Sequence, residues 1–236
     1  NGSTLLWHQK PDGSTSSEFH GLLQMSGEQP VLEHLGIDPF IIGKRVSIFA
    51  DLSWPGAPQD IDINTMAGSV YTEGRDGKYL QAKPNIALHA LSIVNITTWL
   101  RRLQLDFSDL SNDGISFDEY KGKILFGKGE MRFVEPLEIE SPSSTFKLSG
   151  KVLLESNVLD LRLIATLPVG NNATWIAALA GGLPAAAGVY VASKIFDKQI
   201  STLSSLSYRI TGPSSEPKIE FERIAPLEEK PKNKKK

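Results

Sequence analysis

Apolar and polar residues alternate along much of this chain, and this period of two is the pattern that most constrains its fold. The alternation is clearest in 46–54, 146–154, 159–163, 206–210 and 219–221, with Phe49 as an exception in the first of them. Because successive side chains of a β-strand point to opposite faces, each segment is predicted to be a strand with one apolar face and one solvated face.

The breaks between strand-like runs are rich in turn-forming residues. Asp76-Gly77, Gly127-Lys128-Gly129 and Ser156-Asn157 each favour a tight reversal, since Gly, Asn and Asp adopt the backbone angles of hairpin turns most readily. Strands joined by such short connections are antiparallel. The sequence therefore predicts an antiparallel meander.

These patterns predict a mainly β protein: a long curved antiparallel sheet with two or three helices, for which 29–35, 85–102 and 172–203 are the candidates. The apolar face of the sheet must be accommodated, and two arrangements remain open. In one, the sheet forms a closed sandwich. In the other, the apolar face stays open as a hydrophobic groove, a surface of the kind that marks binding sites and would suit acyl chains.

The third helical candidate, 172–203, is the most unusual part of the chain, and no charged residue occurs between Ile164 and Ser193. The segment is apolar on all sides before Pro184 and amphipathic after it. Three interpretations compete: a helix or helical hairpin covering the sheet, a segment lying on or dipping into a membrane, and a transmembrane span. The residues predicted to contact a membrane are Trp175, Ile176, Leu179, Leu183, Val189, Tyr190 and Phe196.

Composition excludes several classes of function. The net charge is −2 and no basic stripe crosses the part predicted to fold, so nucleic acid is not expected as a partner. The chain has no cysteine, which removes disulfides and thiolate chemistry. Lysines cluster in 227–236, which is predicted to be a disordered tail that could also meet anionic lipid. No signal peptide is visible, and the chain is expected to be a piece of something longer.

No motif predicts an enzyme, a metal site or a cofactor. Asp109, Ser111, Asp113 and Gly114 resemble the start of a calcium loop, but Tyr120 occupies the position that requires a bidentate glutamate. The histidines lack zinc spacing, and neither a nucleophile elbow nor a phosphate loop occurs. An enzymatic alternative would depend on the carboxylates of Asp106, Asp109, Asp113 and Asp118.

One family resemblance emerges from several short motifs. The most specific are LQLDFSDL at 103–110 and GISFD at 114–118, followed by Gly122. LSWPGAP at 52–58, Gly68 and Asp76-Gly77 precede them, and Ile195-Phe196, YRITGP at 208–213 and Pro217 follow. Over roughly 18–224, this order resembles the C-terminal region of the AsmA-like envelope proteins, closest to their YhdP branch.

The resemblance implies a protein of the Gram-negative periplasm, anchored in the inner membrane by a helix not present here. It further implies a hydrophobic groove that conducts phospholipid towards the outer membrane, with this part at the far end and no catalytic residues. Residues 1–226 would form one domain, followed by the tail at 227–236. Phospholipid, the outer membrane and other envelope proteins are the expected partners. The main alternative is a closed sandwich that docks another envelope protein without a lipid conduit.

Strand alternation supplies the candidate groove residues. They are Val46, Ile48, Leu52, Trp54, Met131, Phe133, Phe146, Leu148, Val152, Leu154, Leu159, Leu161, Leu163, Leu206, Tyr208 and Ile210.

Overall fold

A computed structural model describes residues 2–27, 41–80, 110–111, 114–142, 144–168 and 203–225. Regular structure in these ranges consists of β-strands. The strands are β1 (Thr4–Gln9), β2 (Thr15–Gly27), β3 (Ile41–Pro55), β4 (Ala67–Leu80), β5 (Leu110–Ser111), β6 (Gly114–Gly127), β7 (Glu130–Glu140), β8 (Thr145–Leu153), β9 (Val158–Pro168), β10 (Leu203–Pro213) and β11 (Lys218–Ala225).

The strands form a single antiparallel sheet. Its order is β1-β2-β3-β4-β6-β7-β8-β9-β10-β11, with the short β5 pairing beside β6. Neighbours along the chain are therefore neighbours in the sheet, and β1 and β11 are its two edges within the described ranges. The predicted mainly β, antiparallel meander is confirmed.

The predicted helices at 29–35 and 85–102 lie outside the described residues, as does the tail at 227–236. The same holds for 172–203 up to its last residue. That residue, Leu203, was predicted to be helical and instead begins β10, opposite Pro168 of β9. The ladder between β9 and β10 extends that far because the two strands stay in register along their whole length.

Two of the predicted turns are confirmed. β6 and β7 are joined through Lys128 and Gly129, whose φ angles of 54° and 69° are those of a hairpin turn that matches the strand twist. Asn157, with a φ of 52°, lies in the reversal between β8 and β9. At both positions the local turn chemistry predicts the connection that the structure has.

The predicted hairpin at Asp76-Gly77 is wrong, because both residues lie inside β4. Asp76 has a φ of 49°, yet Gly77 still pairs with Gly43 of β3 and Phe117 of β6. A Cβ on Gly77 would collide with the carbonyl oxygen of Ile42. Glycine is required here by the close approach of β3, and pairing on both sides of β4 overrides the local preference for a turn.

The two faces of the sheet differ in chemistry. Residues that pair directly across antiparallel strands point to the same face, so the register places Leu148 of β8, Leu163 of β9 and Tyr208 of β10 together in one row. This is the apolar face. The opposite face carries Lys147 and Arg162 and is called the charged face.

Phe49, the exception to the alternation in β3, lies on the charged face. Its neighbours in sequence, Ile48 and Ala50, point the other way because the strand is regular here. Phe49 is paired with Tyr71 of β4, and the two ring centroids are 5.9 Å apart. The exposed aromatic therefore packs on a cross-strand partner, and the strand needs no bulge to accommodate it.

Candidate functional site

The apolar face gathers the residues that strand alternation singled out. All of the groove candidates except Trp54 belong to one continuous cluster of packed side chains, with Ile48 and Leu52 partly buried at its margin. Leu154 joins it from the turn after β8. Trp54 is buried near the end of β3, where its indole Nε1 donates a hydrogen bond to the carbonyl oxygen of Ala57 at 3.1 Å.

The register explains how residues far apart in sequence meet on this face. Val46 of β3 pairs with Gly74 of β4, and the row continues through Tyr120, Ile139 and Phe146 on the next strands. Each of these side chains points to the apolar face, except at Gly74, where there is none. The surface is therefore a band that crosses the strands.

Part of this band was not among the predicted groove residues. Phe117, Tyr120, Ile124, Phe126 and Ile139 are all buried in the same cluster. A signal was present in β6, where Tyr120, Ile124 and Phe126 alternate with lysines and Leu125 around Gly122. Gly122 interrupts the apolar pattern because the backbone of Leu137 approaches it closely.

The apolar face is exposed at one end of the sheet. Leu5 and Trp7 of β1 are 52% and 63% exposed, and Leu23 of β2 is 42% exposed. Leu5 pairs with Phe19, which in turn pairs with Leu52 of β3, so the exposed residues continue the same face. At this end the band is a solvent-accessible apolar surface.

Most of the same face is closed to solvent, and the closure is most complete over β8, β9 and β10. Leu148, Leu161 and Leu163 are at most 1% exposed, and the same is true of Tyr208 and Ile210. These side chains interdigitate across β8, β9 and β10. The exposed groove that the sequence suggested is therefore not established along this stretch.

Two tyrosines are buried on the apolar face in different ways. The Tyr120 ring lies against Gly74, where a Cβ would overlap it, and meets Phe117 edge-on at 4.9 Å between centroids. Its hydroxyl is 2.9 Å from the Thr72 hydroxyl. Burial raises the pKa of Tyr120 to about 12, so the phenol is neutral at physiological pH.

Tyr208 has no such partner. Its ring meets Phe221 of β11 edge-on at 5.9 Å between centroids, and its hydroxyl oxygen is buried with no hydrogen-bond partner in the described part of the chain. Burial raises the pKa of Tyr208 above its ordinary value, so this hydroxyl also stays protonated. It is a polar atom in apolar surroundings.

The charged face is organised by cross-strand ion pairs. Glu222 of β11 accepts a bidentate pair of hydrogen bonds from Arg162 of β9, at 2.9 and 3.1 Å, and a third bond from Ser207 of the strand between them. The Arg162 contact holds the pKa of Glu222 below its ordinary value. Glu130 has a lowered pKa for the same kind of reason, since Lys151 and Arg132 donate to it.

A shallow depression of about 380 Å³ lies on this charged face over β8 and β9. Its cationic rim consists of side chains that the ion pairs already use: Arg132 and Lys151 contact Glu130, and Arg209 contacts Asp160. This depression is therefore a weaker candidate for a ligand site than the apolar face.

The structure describes few of the residues predicted for an enzymatic site, a calcium site or a membrane contact. Asp106, Asp109 and Asp113 lie outside the described residues, as do Trp175, Ile176, Leu179, Leu183, Val189, Tyr190 and Phe196. Tyr120, at the last position of the calcium-like loop, points into the apolar cluster. Across the ranges that the structure describes, no three His, Asp or Glu side chains group as metal ligands, and no helix is long and apolar enough to cross a membrane.

Comparison with known proteins adds independent information. A family model described as "YhdP protein" matches residues 1–219. The Escherichia coli K12 protein named "Intermembrane phospholipid transporter YhdP" is 25% identical over 224 residues, which cover 95% of this chain and 18% of that protein. The chain thus spans less than a fifth of this relative's length. No solved structure matches the chain.

Proposed function

Because the chain belongs to the YhdP protein family, we propose that it is part of an envelope phospholipid transporter and that its apolar face carries the acyl chains. The family and the name of the relative supply the substrate class. The observation that carries the assignment to a surface is the continuous apolar band, which has an exposed end at Leu5, Trp7 and Leu23.

The dimensions and energetics of the band suit acyl chains. Ten strands lie along the sheet path, and a spacing of about 4.8 Å gives a band roughly 43 Å long. Each methylene transferred from water to such a surface gains about 0.8 kcal/mol. A chain of sixteen carbons is therefore held strongly even when only part of it is covered, and it can shift along the band because apolar contacts are not directional.

The charged face complements this role. Its ion pairs keep that side of the sheet polar, so that lipid would be carried on the opposite, apolar side. No step of the proposed function requires a catalytic residue or a cofactor.

Within the full-length protein, the proposed path carries phospholipid across the periplasm of a Gram-negative cell between the inner and outer membranes. This part would form the end near the outer membrane, as one domain at 1–226 followed by the lysine-rich tail. The segment 172–203 would contact that membrane through Trp175 and its apolar neighbours, and an N-terminal anchor in the longer protein would hold the other end. The family resemblance and the word "intermembrane" in the relative's name support this arrangement.

A second function is favoured by one observation. The apolar face of β8 and β9 is closed to solvent, with Val152 and Leu163 fully buried. A sheet whose apolar face is covered in this way would be a docking module for another envelope protein, and its exposed end would be the contact surface. This alternative predicts a protein partner and no co-purified lipid.

The deciding experiment compares two leucines of similar exposure on opposite faces. Leu23 is 42% exposed on the apolar face, and Leu125 is 46% exposed on the charged face, opposite Arg132. The full chain and its Leu23→Asp and Leu125→Asp variants are purified from a bacterial envelope without added lipid and weighed by native mass spectrometry. We expect co-purified phospholipid in the parent chain and in Leu125→Asp, and a clear loss in Leu23→Asp. A folded but lipid-free parent chain would favour the docking module.

A further inference from the structure

The two buried tyrosines of the apolar face differ in whether the hydroxyl has a hydrogen-bond partner. The Tyr120 hydroxyl has a protein partner, the Thr72 hydroxyl at 2.9 Å. The Tyr208 hydroxyl has none in the described part of the chain, although the residue is 0% exposed. A buried hydroxyl without a hydrogen bond costs free energy that a phenylalanine at the same position would avoid.

The surroundings of Tyr208 define what could satisfy it. The side chains nearest in register, Leu163 of β9 and Phe221 of β11, are apolar, and so are Leu206 and Ile210 on the same face of β10. Described residues on the apolar face of β8, β9 and β10 include no charged side chain. A phosphate or carboxylate placed here would be buried without a counter-ion, which is strongly unfavourable.

The Tyr208 hydroxyl is able to donate this hydrogen bond. Burial raises the pKa of Tyr208, so the phenol keeps its proton and can donate it. A neutral acceptor that reaches this otherwise apolar surface would satisfy the hydroxyl. In a phospholipid, the acyl-ester carbonyl oxygens fit this description, because they lie between the charged headgroup and the hydrocarbon chains.

We propose that the Tyr208 hydroxyl is a lipid subsite that donates a hydrogen bond to an acyl-ester carbonyl of a bound phospholipid. This inference rests on the proposed function, since it requires acyl chains on the apolar face. It adds one directional hydrogen bond to a surface that otherwise holds lipid only through non-directional apolar contacts. Tyr208, Leu148 and Leu163 form one row that is closed to solvent, so a lipid reaches this hydroxyl only where the packing over the row opens.

The test compares ester-linked with ether-linked lipid. Delipidated full chain is titrated with diacyl phosphatidylethanolamine and with the dialkyl ether analogue of equal chain length, and bound lipid is measured by native mass spectrometry. The ether analogue keeps the headgroup and the chains but lacks the carbonyl oxygens. Tyr208→Phe removes the hydroxyl and keeps the ring, and Tyr120→Phe is the matched control because the hydroxyl of Tyr120 is satisfied by Thr72.

We expect the parent chain and Tyr120→Phe to prefer the ester lipid about 5- to 10-fold, as for the loss of one hydrogen bond. Tyr208→Phe should bind both lipids equally, at the affinity that the parent chain has for the ether lipid. An unchanged ester preference in Tyr208→Phe would overturn the subsite while leaving lipid binding intact. Failure of the parent chain to bind either lipid would instead overturn the proposed function and the subsite with it.

Discussion

The β1–β2 end of the sheet and its β8–β10 region carry the same alternation of apolar and polar residues, yet they present their apolar face to different surroundings. Leu5, Trp7 and Leu23 are between 42% and 63% exposed, whereas Leu148 and Leu163 are at most 1% exposed. Edge position alone does not account for the difference, because β2, which carries Leu23, has neighbours on both sides just as β8–β10 do. Alternation therefore determines which side chains share a face, and the packing over that face determines whether water reaches them.

The largest expected difference between the two regions concerns a buried charge. Leu163→Asp places a carboxylate in the fully buried β8–β10 region and should cost about 4 kcal/mol or more of unfolding free energy. Leu23→Asp leaves the carboxylate partly solvated and should cost less than about 1 kcal/mol. Urea denaturation followed by far-UV circular dichroism measures both. Similar losses of unfolding free energy in the two variants would mean that the β1–β2 end is as tightly packed as the β8–β10 region.

Two glycines with positive φ sharpen the contrast. Gly150 in β8 has a φ of 112°, and an added Cβ would collide with the backbone of Asp160 and Leu161. Gly13, between β1 and β2, has a φ of 83° and open space around it. Gly150→Ala should cost about 3 kcal/mol and Gly13→Ala about 1 kcal/mol. The midpoints of thermal unfolding rank the two, and an equal shift would contradict the close approach at Gly150.

The two buried tyrosines should respond oppositely when lipid is absent. Tyr120→Phe leaves the Thr72 hydroxyl without its partner and should cost about 1 kcal/mol. Tyr208→Phe removes a hydroxyl that has no partner among the described residues and should be neutral or stabilising by about 1 kcal/mol. Denaturant midpoints of delipidated protein give both values. A loss in Tyr208→Phe equal to that in Tyr120→Phe would show that the Tyr208 hydroxyl is already satisfied.

The smallest expected effect is the pH dependence of stability that arises from the ion pair between β9 and β11 on the charged face. Hydrogen bonds from Arg162 hold the folded-state pKa of Glu222 below its ordinary value of 4.5. The stabilisation is therefore fully present above pH 4.5 and is lost as the pH falls through the lowered pKa. For a pair at the surface, it should amount to about 0.5–1 kcal/mol. Glu222→Gln should flatten the acid limb of the stability profile, and an unchanged limb would mean that this pair contributes nothing.

Much of the sheet could be predicted from the sequence because local patterns decide it. The strands at 146–154, 159–163 and 206–210 follow directly from alternation, and the hairpin at Lys128-Gly129 follows from turn chemistry. Asp76-Gly77 could not be read correctly, since pairing with β3 and β6 overrides the local turn preference. The same limit applies to Leu203, whose strand conformation depends on β9.

The sequence predicted which residues share the apolar face, but it did not predict which of them are buried. Alternation identified Leu148, Leu163 and Tyr208 as residues of one face, which the register confirms. It could not indicate that this part is buried, because burial depends on packing between strands far apart in sequence. Nor could it distinguish Tyr208 from Tyr120, since a hydroxyl's partner is set by the neighbouring strand, here Thr72 of β4 for Tyr120 alone.

The central claim is that phospholipid acyl chains lie on the apolar face, and photo-crosslinking tests it most directly. A benzophenone amino acid is placed at Leu23 on the apolar face or at Leu125 on the charged face, positions of similar exposure. The protein is irradiated in the intact bacterial envelope and weighed after purification. We predict an adduct with the mass of a phospholipid at position 23 and none at position 125. Equal adducts at both positions, or an adduct at 125 alone, would contradict the account.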